Sequence, residues 1–144
     1  MPYPEQLCAP MRLELTSLGF NELKSADQVD ETIPNSKGTT LLVFNSVCGC
    51  AAGAARPAVR IALNNSEIRP DHLVSVFAGQ DLDATSQARK YTAPYPPSSP
   101  AMALYKDGKL VHFIERMHIE GHSADTIAEN LVAAFEEHCT AVNS

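Results

Sequence analysis

The uninterrupted apolar run over residues 41–44 is the feature that most constrains the fold of this chain. A continuous run of this kind is typical of a strand buried on both faces, as in parallel sheets that helices cover on both sides. A helical pattern follows over residues 51–63, and a second β-rich run covers residues 72–78. The three segments together predict a β-α-β unit, whose parallel strands are joined by a right-handed crossover.

The remaining patterns add helices and a hairpin to this unit. Residues 101–105 and 110–114 flank an Asp-Gly pair, which is a strong signal for an antiparallel hairpin. Helical patterns precede the first strand, cover residues 81–91 and end the chain after Ser123, a good N-cap residue. We therefore expect an α/β fold with a mixed central sheet between helices on both sides and an N-terminal helical extension.

Prolines predict three interruptions of regular structure. Three prolines within residues 1–10 favour an extended N-terminal arm, since proline removes a backbone donor. Pro57 should kink the helix over residues 51–63. The stretch 94–100 contains four prolines and is incompatible with a helix or a strand.

Length and charge limit the classes of function. The 144 residues are enough for one domain with its own core, and we assign residues 1–144 to a single domain. The 11 Lys and Arg against 17 Asp and Glu give a net charge of -6 without a basic run, which disfavours binding to nucleic acid and to anionic membranes. The first residues lack the pattern of a signal peptide. We therefore expect a cytoplasmic protein.

The segment Cys48-Gly49-Cys50 carries the sharpest chemical signal. It falls where the buried strand ends and a helix begins, so a thiolate there faces unpaired backbone N–H groups and the positive end of a helix dipole. Both effects lower the pKa of a thiol. Gly49 lets the backbone bend between the two sulfurs, and Cα atoms separated by one residue lie at most roughly 7 Å apart. A Cys48–Cys50 disulfide can therefore form, but under strain.

Three interpretations of the cysteine pair stay open at this point. The pair can act as the redox centre of a thiol–disulfide oxidoreductase, or chelate zinc or copper in a metal carrier or sensor. No Cys-x-x-Cys motif or histidine pair stands near it to complete a closed metal site. The third interpretation is a redox-inert binding module, in which both thiols keep an ordinary pKa of about 8.5. Cys139 is interpreted as structural, and nothing near Cys8 in the sequence activates it.

Three further regions are candidate contributors to a site. Ser99-Pro100 precedes a predicted strand, where a cis proline would expose backbone for pairing with a substrate chain and a trans proline would be an ordinary loop residue. Arg56 is a candidate for stabilising a thiolate or binding an anionic thiol substrate, with a solvated surface arginine as the alternative. The polar segment 115–122 is suited to line a substrate groove.

Several blocks of the sequence together resemble the bacilliredoxin family. The resemblance covers most of residues 11–139 and is carried by combinations of motifs rather than by the cysteine pair alone. The matching blocks are residues 19–23, residues 45–57 around Cys-Gly-Cys, Pro-Pro-Ser-Ser-Pro at 96–100, residues 111–116 and Ile-Glu-Gly-His at 119–122.

This resemblance implies a thioredoxin-like three-layer α/β/α sandwich with Cys-Gly-Cys as its redox centre. Cys48 would attack, Cys50 would resolve or back the attack, and Pro100 would face the site. The implied activity is removal of bacillithiol, or a similar low-molecular-weight thiol, from S-thiolated cytosolic proteins, with weak disulfide reductase or isomerase activity. The small thiol would be a co-substrate, and no tightly bound cofactor or metal is implied. The sequence leaves open whether the chain forms a homodimer.

Overall fold

The computed structural model describes residues 3–139 of the chain. Within that range, none of the helices is long and apolar enough to cross a membrane. A π-helical turn, Ala51–Ala55, leads directly into α3. The elements in chain order are α1 Glu5–Thr16, β1 Asn21–Glu22, α2 Ala26–Thr32, β2 Thr39–Asn45, α3 Arg56–Asn65, β3 His72–Phe77, α4 Leu82–Lys90, β4 Ala101–Lys106, β5 Lys109–Ile114, α5 Arg116–Ile119 and α6 Ala124–His138.

The strands form one mixed sheet in the order β1-β3-β2-β4-β5. Strands β1, β3 and β2 are parallel, whereas β4 runs antiparallel to β2 and β5 runs antiparallel to β4. The predicted parallel pair and the predicted hairpin are therefore confirmed. At the hairpin turn Asp107 and Gly108 both have positive φ, at 50° and 81°, as a two-residue I′ turn requires.

Helices cover both faces of the sheet, and β2 is buried along its whole length. Leu41 and Val43 belong to a core cluster with residues of α1, α3 and α6. Leu42 and Phe44 point the opposite way and belong to a second cluster with residues of α2 and α4. Alternate side chains of one strand thus fill two cores, which explains its continuous apolar sequence. The expected three-layer α/β/α sandwich is confirmed.

The expected extended arm over residues 1–10 is wrong where the structure describes it. Helix α1 begins at Glu5 and includes Pro10, while residues 1 and 2 lie outside the described range. Cys8 and Leu15 lie on the buried face of this helix. Burial of one helix face stabilises α1 more than the proline destabilises it, because tertiary packing supplies most helical stability in proteins.

A buried arginine fastens α1 to the sheet. The Arg12 guanidinium donates to carboxylate oxygens of Glu5 at 3.1 Å and of Asp81 at 2.7 Å, and it also reaches Glu22. Its central carbon lies 5.0 Å from the centre of the Phe77 ring. These partners come from α1, β1, the end of β3 and the N-cap of α4, so the guanidinium joins the N-terminal helix to the parallel side of the sheet.

The proline in the helix after the cysteine pair lies where the helical winding changes. The chain is π-helical over Ala51–Ala55 and becomes α-helical at Arg56, so that Pro57 stands in the first turn of α3. A missing backbone N–H is tolerated in a first turn. The helix predicted over residues 51–63 with a kink at Pro57 therefore consists of two differently wound segments that meet next to the proline.

Candidate active site

Cys48-Gly49-Cys50 lies at the carboxyl end of β2, between the strand and the helical turn that leads into α3. The backbone carbonyl of Cys48 accepts hydrogen bonds from the N–H groups of Ala51 at 3.0 Å and Ala52 at 3.3 Å. Cys48 thus occupies the N-terminal boundary of the helical segment, where backbone N–H groups lack intrahelical acceptors. Both cysteines are half-buried free thiols.

The two sulfur atoms are in contact, with the Sγ atoms 2.8 Å apart. A hydrogen bond from the Cys50 thiol lowers the pKa of Cys48, and the backbone N–H groups of Cys50 and Ala51 and the charge of Arg116 lower it further. Burial raises the pKa of Cys50, and the neighbouring Cys48 raises it as well. The pair is therefore asymmetric: Cys48 is the more acidic thiol, and the Cys50 thiol stabilises its thiolate form.

Arg116 brings positive charge to the pair from the start of α5. Its charge lowers the pKa of both Cys48 and Cys50. The guanidinium donates from Nη1 to the carbonyl oxygen of Ser99 at 3.3 Å and from Nε to Glu120 at 3.0 Å. The sequence indicates Arg116 only as part of a polar segment, because nothing in a single sequence places it beside a cysteine so distant in the chain.

Arg56, the arginine that the sequence suggests for a role at the thiolate, is 3% exposed. The alternative of a solvated surface arginine is therefore wrong. Its Nη1 donates to Asn45 Oδ1 at 2.9 Å and to the carbonyl oxygen of Ser46 at 2.8 Å, while Nε donates to Glu14 at 3.0 Å. All of its hydrogen-bond partners among the described residues belong to the end of β2, to Ser46 directly after it and to α1, which assigns it a positioning role.

A chain of hydrogen bonds carries this support to the cysteine loop. Asn45 Oδ1 also accepts from the backbone N–H of Ser46 at 2.9 Å. The Ser46 hydroxyl in turn accepts from the backbone N–H of Cys48 at 3.1 Å. On its other side, Asn45 Nδ2 donates to the carbonyl oxygen of Met11 in α1 at 3.1 Å. The backbone at Cys48 is thus held by contacts that reach back to the N-terminal helix.

Ser99-Pro100 lies beside the cysteine loop and contains a cis peptide bond. Pro100 is buried and directly precedes β4, in which Ala101 pairs with Phe44 near the end of β2. This register brings the proline loop to the same end of the sheet as the cysteines. The structure thereby answers the question of cis or trans that the sequence leaves open.

The backbone turns at Gly49 and brings the two sulfurs together, as expected, but this turn does not require a glycine. Its φ lies outside the left-handed region, and a Cβ added there would meet no atom of the described residues within 4 Å. The helical conformation has already begun at this residue, so no unusual backbone angle is needed. The glycine instead leaves an open, exposed surface between the two cysteines.

The other two cysteines lie elsewhere. Cys8 is buried in α1, and Cys139 follows α6 and interacts with Thr39 at the opposite end of β2 from the cysteine pair. Burial raises the pKa of both thiols, which makes them poor nucleophiles. Across residues 3–139, no cluster of three or more His, Cys, Asp or Glu side chains is arranged to hold a metal ion.

Solved thioredoxins share this architecture. Thioredoxin from Fasciola hepatica is 20% identical, with a TM-score of 0.55, and the match covers 83% of this chain and 99% of that one. A thioredoxin variant from Halobacterium salinarum is 16% identical, with a TM-score of 0.55, over 84% of this chain and 91% of that one. Identities this low establish the fold alone, and the fold is thioredoxin-like.

Sequence comparison is more specific. A family described as disulphide isomerase matches residues 3–139. A bacilliredoxin of Cytophaga hutchinsonii is 57% identical over 135 residues, which cover 94% of this chain and 98% of that protein. A bacilliredoxin of Geobacillus kaustophilus is 53% identical over 137 residues, which cover 95% of this chain and 94% of that protein. The chain belongs to the bacilliredoxin family. Family and fold together define a thiol–disulfide oxidoreductase.

Proposed function

We propose that the protein removes bacillithiol, or a similar low-molecular-weight thiol, from mixed disulfides on other proteins by exchange at Cys48. The observation that carries this proposal is the 2.8 Å contact between the two sulfur atoms, together with the lowered pKa of Cys48 and the raised pKa of Cys50. A lowered thiol pKa raises the thiolate fraction at neutral pH, and the thiolate is the attacking species in disulfide exchange.

In the first step, the Cys48 thiolate attacks the sulfur of the small thiol. A disulfide forms between Cys48 and the small thiol while the bond between the small thiol and the target protein breaks. The target cysteine leaves as a thiolate and takes a proton from solvent. One disulfide replaces another, so the step needs no external oxidant or reductant. The exposed backbone at Gly49 leaves room for the approaching substrate.

In the second step, Cys50 attacks the Cys48 sulfur, releases the small thiol and forms a Cys48–Cys50 disulfide, which a reducing thiol later opens. The charges at the site favour this order. The Cys48 thiolate contributes to the raised pKa of Cys50, and that contribution disappears once Cys48 is held in a mixed disulfide. The positive charge of Arg116 remains and favours the Cys50 thiolate. The pKa of the resolving thiol should therefore fall after the first step.

The proposal carries consequences for partners and location. The partners are S-thiolated cytosolic proteins and the small thiol itself, without a tightly bound cofactor, and the protein acts in the cytoplasm. The loop that contains Ser99 and Pro100 lies at the same end of the sheet as the cysteines and is the proposed docking place for a substrate chain. The same exchange chemistry would give weak disulfide reductase or isomerase activity on other substrates.

The test is intact-mass analysis of a trapped intermediate. Reduced Cys50→Ser protein is mixed with a target carrying a bacillithiol mixed disulfide. We expect a mass gain of one small thiol, located at Cys48 by peptide mapping, together with release of the free target. Cys48→Ser is the matched control and should gain no mass. An unmodified Cys50→Ser protein beside an intact mixed disulfide would refute the proposal.

A further inference from the structure

We propose that Arg116 binds the carboxylate of the small thiol, so that the site selects anionic, cysteine-derived thiols over neutral ones. This inference rests on the proposed function, since it concerns the small thiol that Cys48 is proposed to accept. Recognition of an anionic substrate is thereby assigned to Arg116 in α5 rather than to Arg56 in α3, the candidate that the sequence suggests.

The position of Arg116 is fixed by its contacts with the proline loop. Its backbone N–H donates to the Ser98 hydroxyl at 3.4 Å, and its Nη1 donates to the carbonyl oxygen of Ser99 at 3.3 Å. That loop leads directly into β4, which pairs with β2 next to the cysteine loop. The guanidinium is therefore anchored at the end of the sheet that carries Cys48 and Cys50.

The guanidinium also has capacity for a further partner. Its side chain is 43% exposed, and Nη2 makes no hydrogen bond to any of residues 3–139. Its one carboxylate partner in that range, Glu120, is itself 62% exposed and contacts Nε. A planar guanidinium presents five donors in a fork that matches a carboxylate.

The buried arginines of the same molecule make the contrast clear. Arg12 and Arg56 have nearly all of their surface covered and direct their donors to internal carboxylate and carbonyl oxygens. Neither side chain offers an open face to a ligand. Of these three arginines, Arg116 is the one whose backbone is anchored beside the proline loop, whose guanidinium is exposed and whose charge lowers the pKa of both thiols.

The chemistry of small thiols supplies the matching group. A thiol built from cysteine carries a carboxylate only a few bonds from its sulfur. When that sulfur is placed at Cys48 for attack, the carboxylate is brought to the same end of the sheet as the guanidinium. Because the arginine is partly exposed and screened by water, we expect a modest preference of about fivefold for the anionic thiol.

The test uses two substrates that differ only in this carboxylate. One target protein with a single reactive cysteine is converted to its N-acetylcysteine mixed disulfide and, separately, to its N-acetylcysteamine mixed disulfide. The rate constant for transfer of each small thiol to Cys48 is measured for Cys50→Ser protein with and without Arg116→Gln. Arg116 also lowers the pKa of Cys48, so both rates should fall in the variant. The ratio of the two rates cancels that effect.

We expect the anionic-to-neutral ratio to be about five with Arg116 and close to one with Arg116→Gln, and to fall toward one at high salt when Arg116 is present. Arg116→Lys keeps the charge without the fork and should give an intermediate ratio. Arg69→Gln is the matched control, because Arg69 is exposed in the loop before β3, at the far end of the sheet. It should leave the ratio unchanged.

Two results would overturn the inference, and they are distinguishable. Equal ratios with Arg116 and with Arg116→Gln, while both small thiols still transfer to Cys48, would reject carboxylate recognition and leave the proposed function standing. Failure of both small thiols, and of bacillithiol, to transfer in the presence of Arg116 would reject the proposed function and this inference together. Thermal unfolding of each variant verifies that the compared proteins are folded.

Discussion

Replacing Cys50 by alanine should raise the pKa of Cys48, and replacing it by serine should not. The largest cause of the lowered pKa of Cys48 is the hydrogen bond from the Cys50 thiol. Alanine removes that donor, whereas a serine hydroxyl can donate to the same thiolate. The two substitutions are similar in size, so their comparison isolates the hydrogen bond from the packing of the side chain.

The expected magnitude follows from the kind of bond and its exposure. A hydrogen bond to a charged group contributes about 1.5–3 kcal/mol. The thiol is a weak donor and Cys48 is only half-buried, so we expect about 1 kcal/mol here. That energy corresponds to a roughly fivefold smaller ratio of thiolate to thiol at a given pH. The backbone N–H groups and Arg116 remain in the alanine variant, and they should keep the pKa of Cys48 below that of a free thiol.

The assay is the pH dependence of alkylation at Cys48 by a small neutral reagent, with the modified residue identified by mass spectrometry. The midpoint of the rate profile should move to higher pH in Cys50→Ala, because a raised pKa leaves less thiolate at neutral pH. It should stay near the wild-type midpoint in Cys50→Ser. Burial raises the pKa of Cys8 and Cys139, so their alkylation follows at higher pH. Equal midpoints for the alanine and serine variants would refute the assigned hydrogen bond.

Three further outcomes are expected. Arg116→Gln should raise the pKa of Cys48 by less than Cys50→Ala does, since a partly exposed charge is screened, and the same alkylation profile measures it. Arg56→Leu should lower the free energy of unfolding by about 2–4 kcal/mol in urea titrations, because it leaves buried acceptors unpaired; the exposed neighbour Arg60→Leu should change it by less than about 0.5 kcal/mol. Gly108→Ala should cost at least about 1–2 kcal/mol in thermal unfolding, because φ is 81° at that turn and the added Cβ would lie 2.8 Å from the carbonyl oxygen of Pro34.

Local signals were sufficient to predict much of the fold. The apolar run of β2 is visible because both faces of the strand are buried. The Asp-Gly pair predicts the hairpin because few other residues adopt the backbone angles of its turn. Ser123 marks the start of α6, and its hydroxyl accepts from the backbone N–H of Thr126 at 3.1 Å. Each of these features depends on residues that are neighbours in the sequence.

The features that were not predicted depend on contacts between distant segments. Helix α1 starts earlier than its prolines indicate, because Arg12 and the buried face of the helix hold it on the sheet. Strand β1 is two residues long and exists through its pairing with β3, which leaves no periodic pattern to detect. The cysteine pair is evident in the sequence, but the exposed arginine beside it is Arg116 rather than the nearby Arg56. Arg56 is close to the cysteines in the chain, but its side chain is buried because it lies on the inward face of α3.

The hydrogen bonds that Arg56 donates to Glu14 and Asn45 donates to Met11 link the docking of α1 thermodynamically to the chemistry of the cysteine pair. The docked helix contributes some free energy to the reduced, ionised form of Cys48. Conversion of Cys48 to a disulfide must therefore change the free energy of helix docking by the same amount. The rate of amide hydrogen exchange in α1 should therefore change with the oxidation state of Cys48, so this state can be followed without observing a sulfur atom.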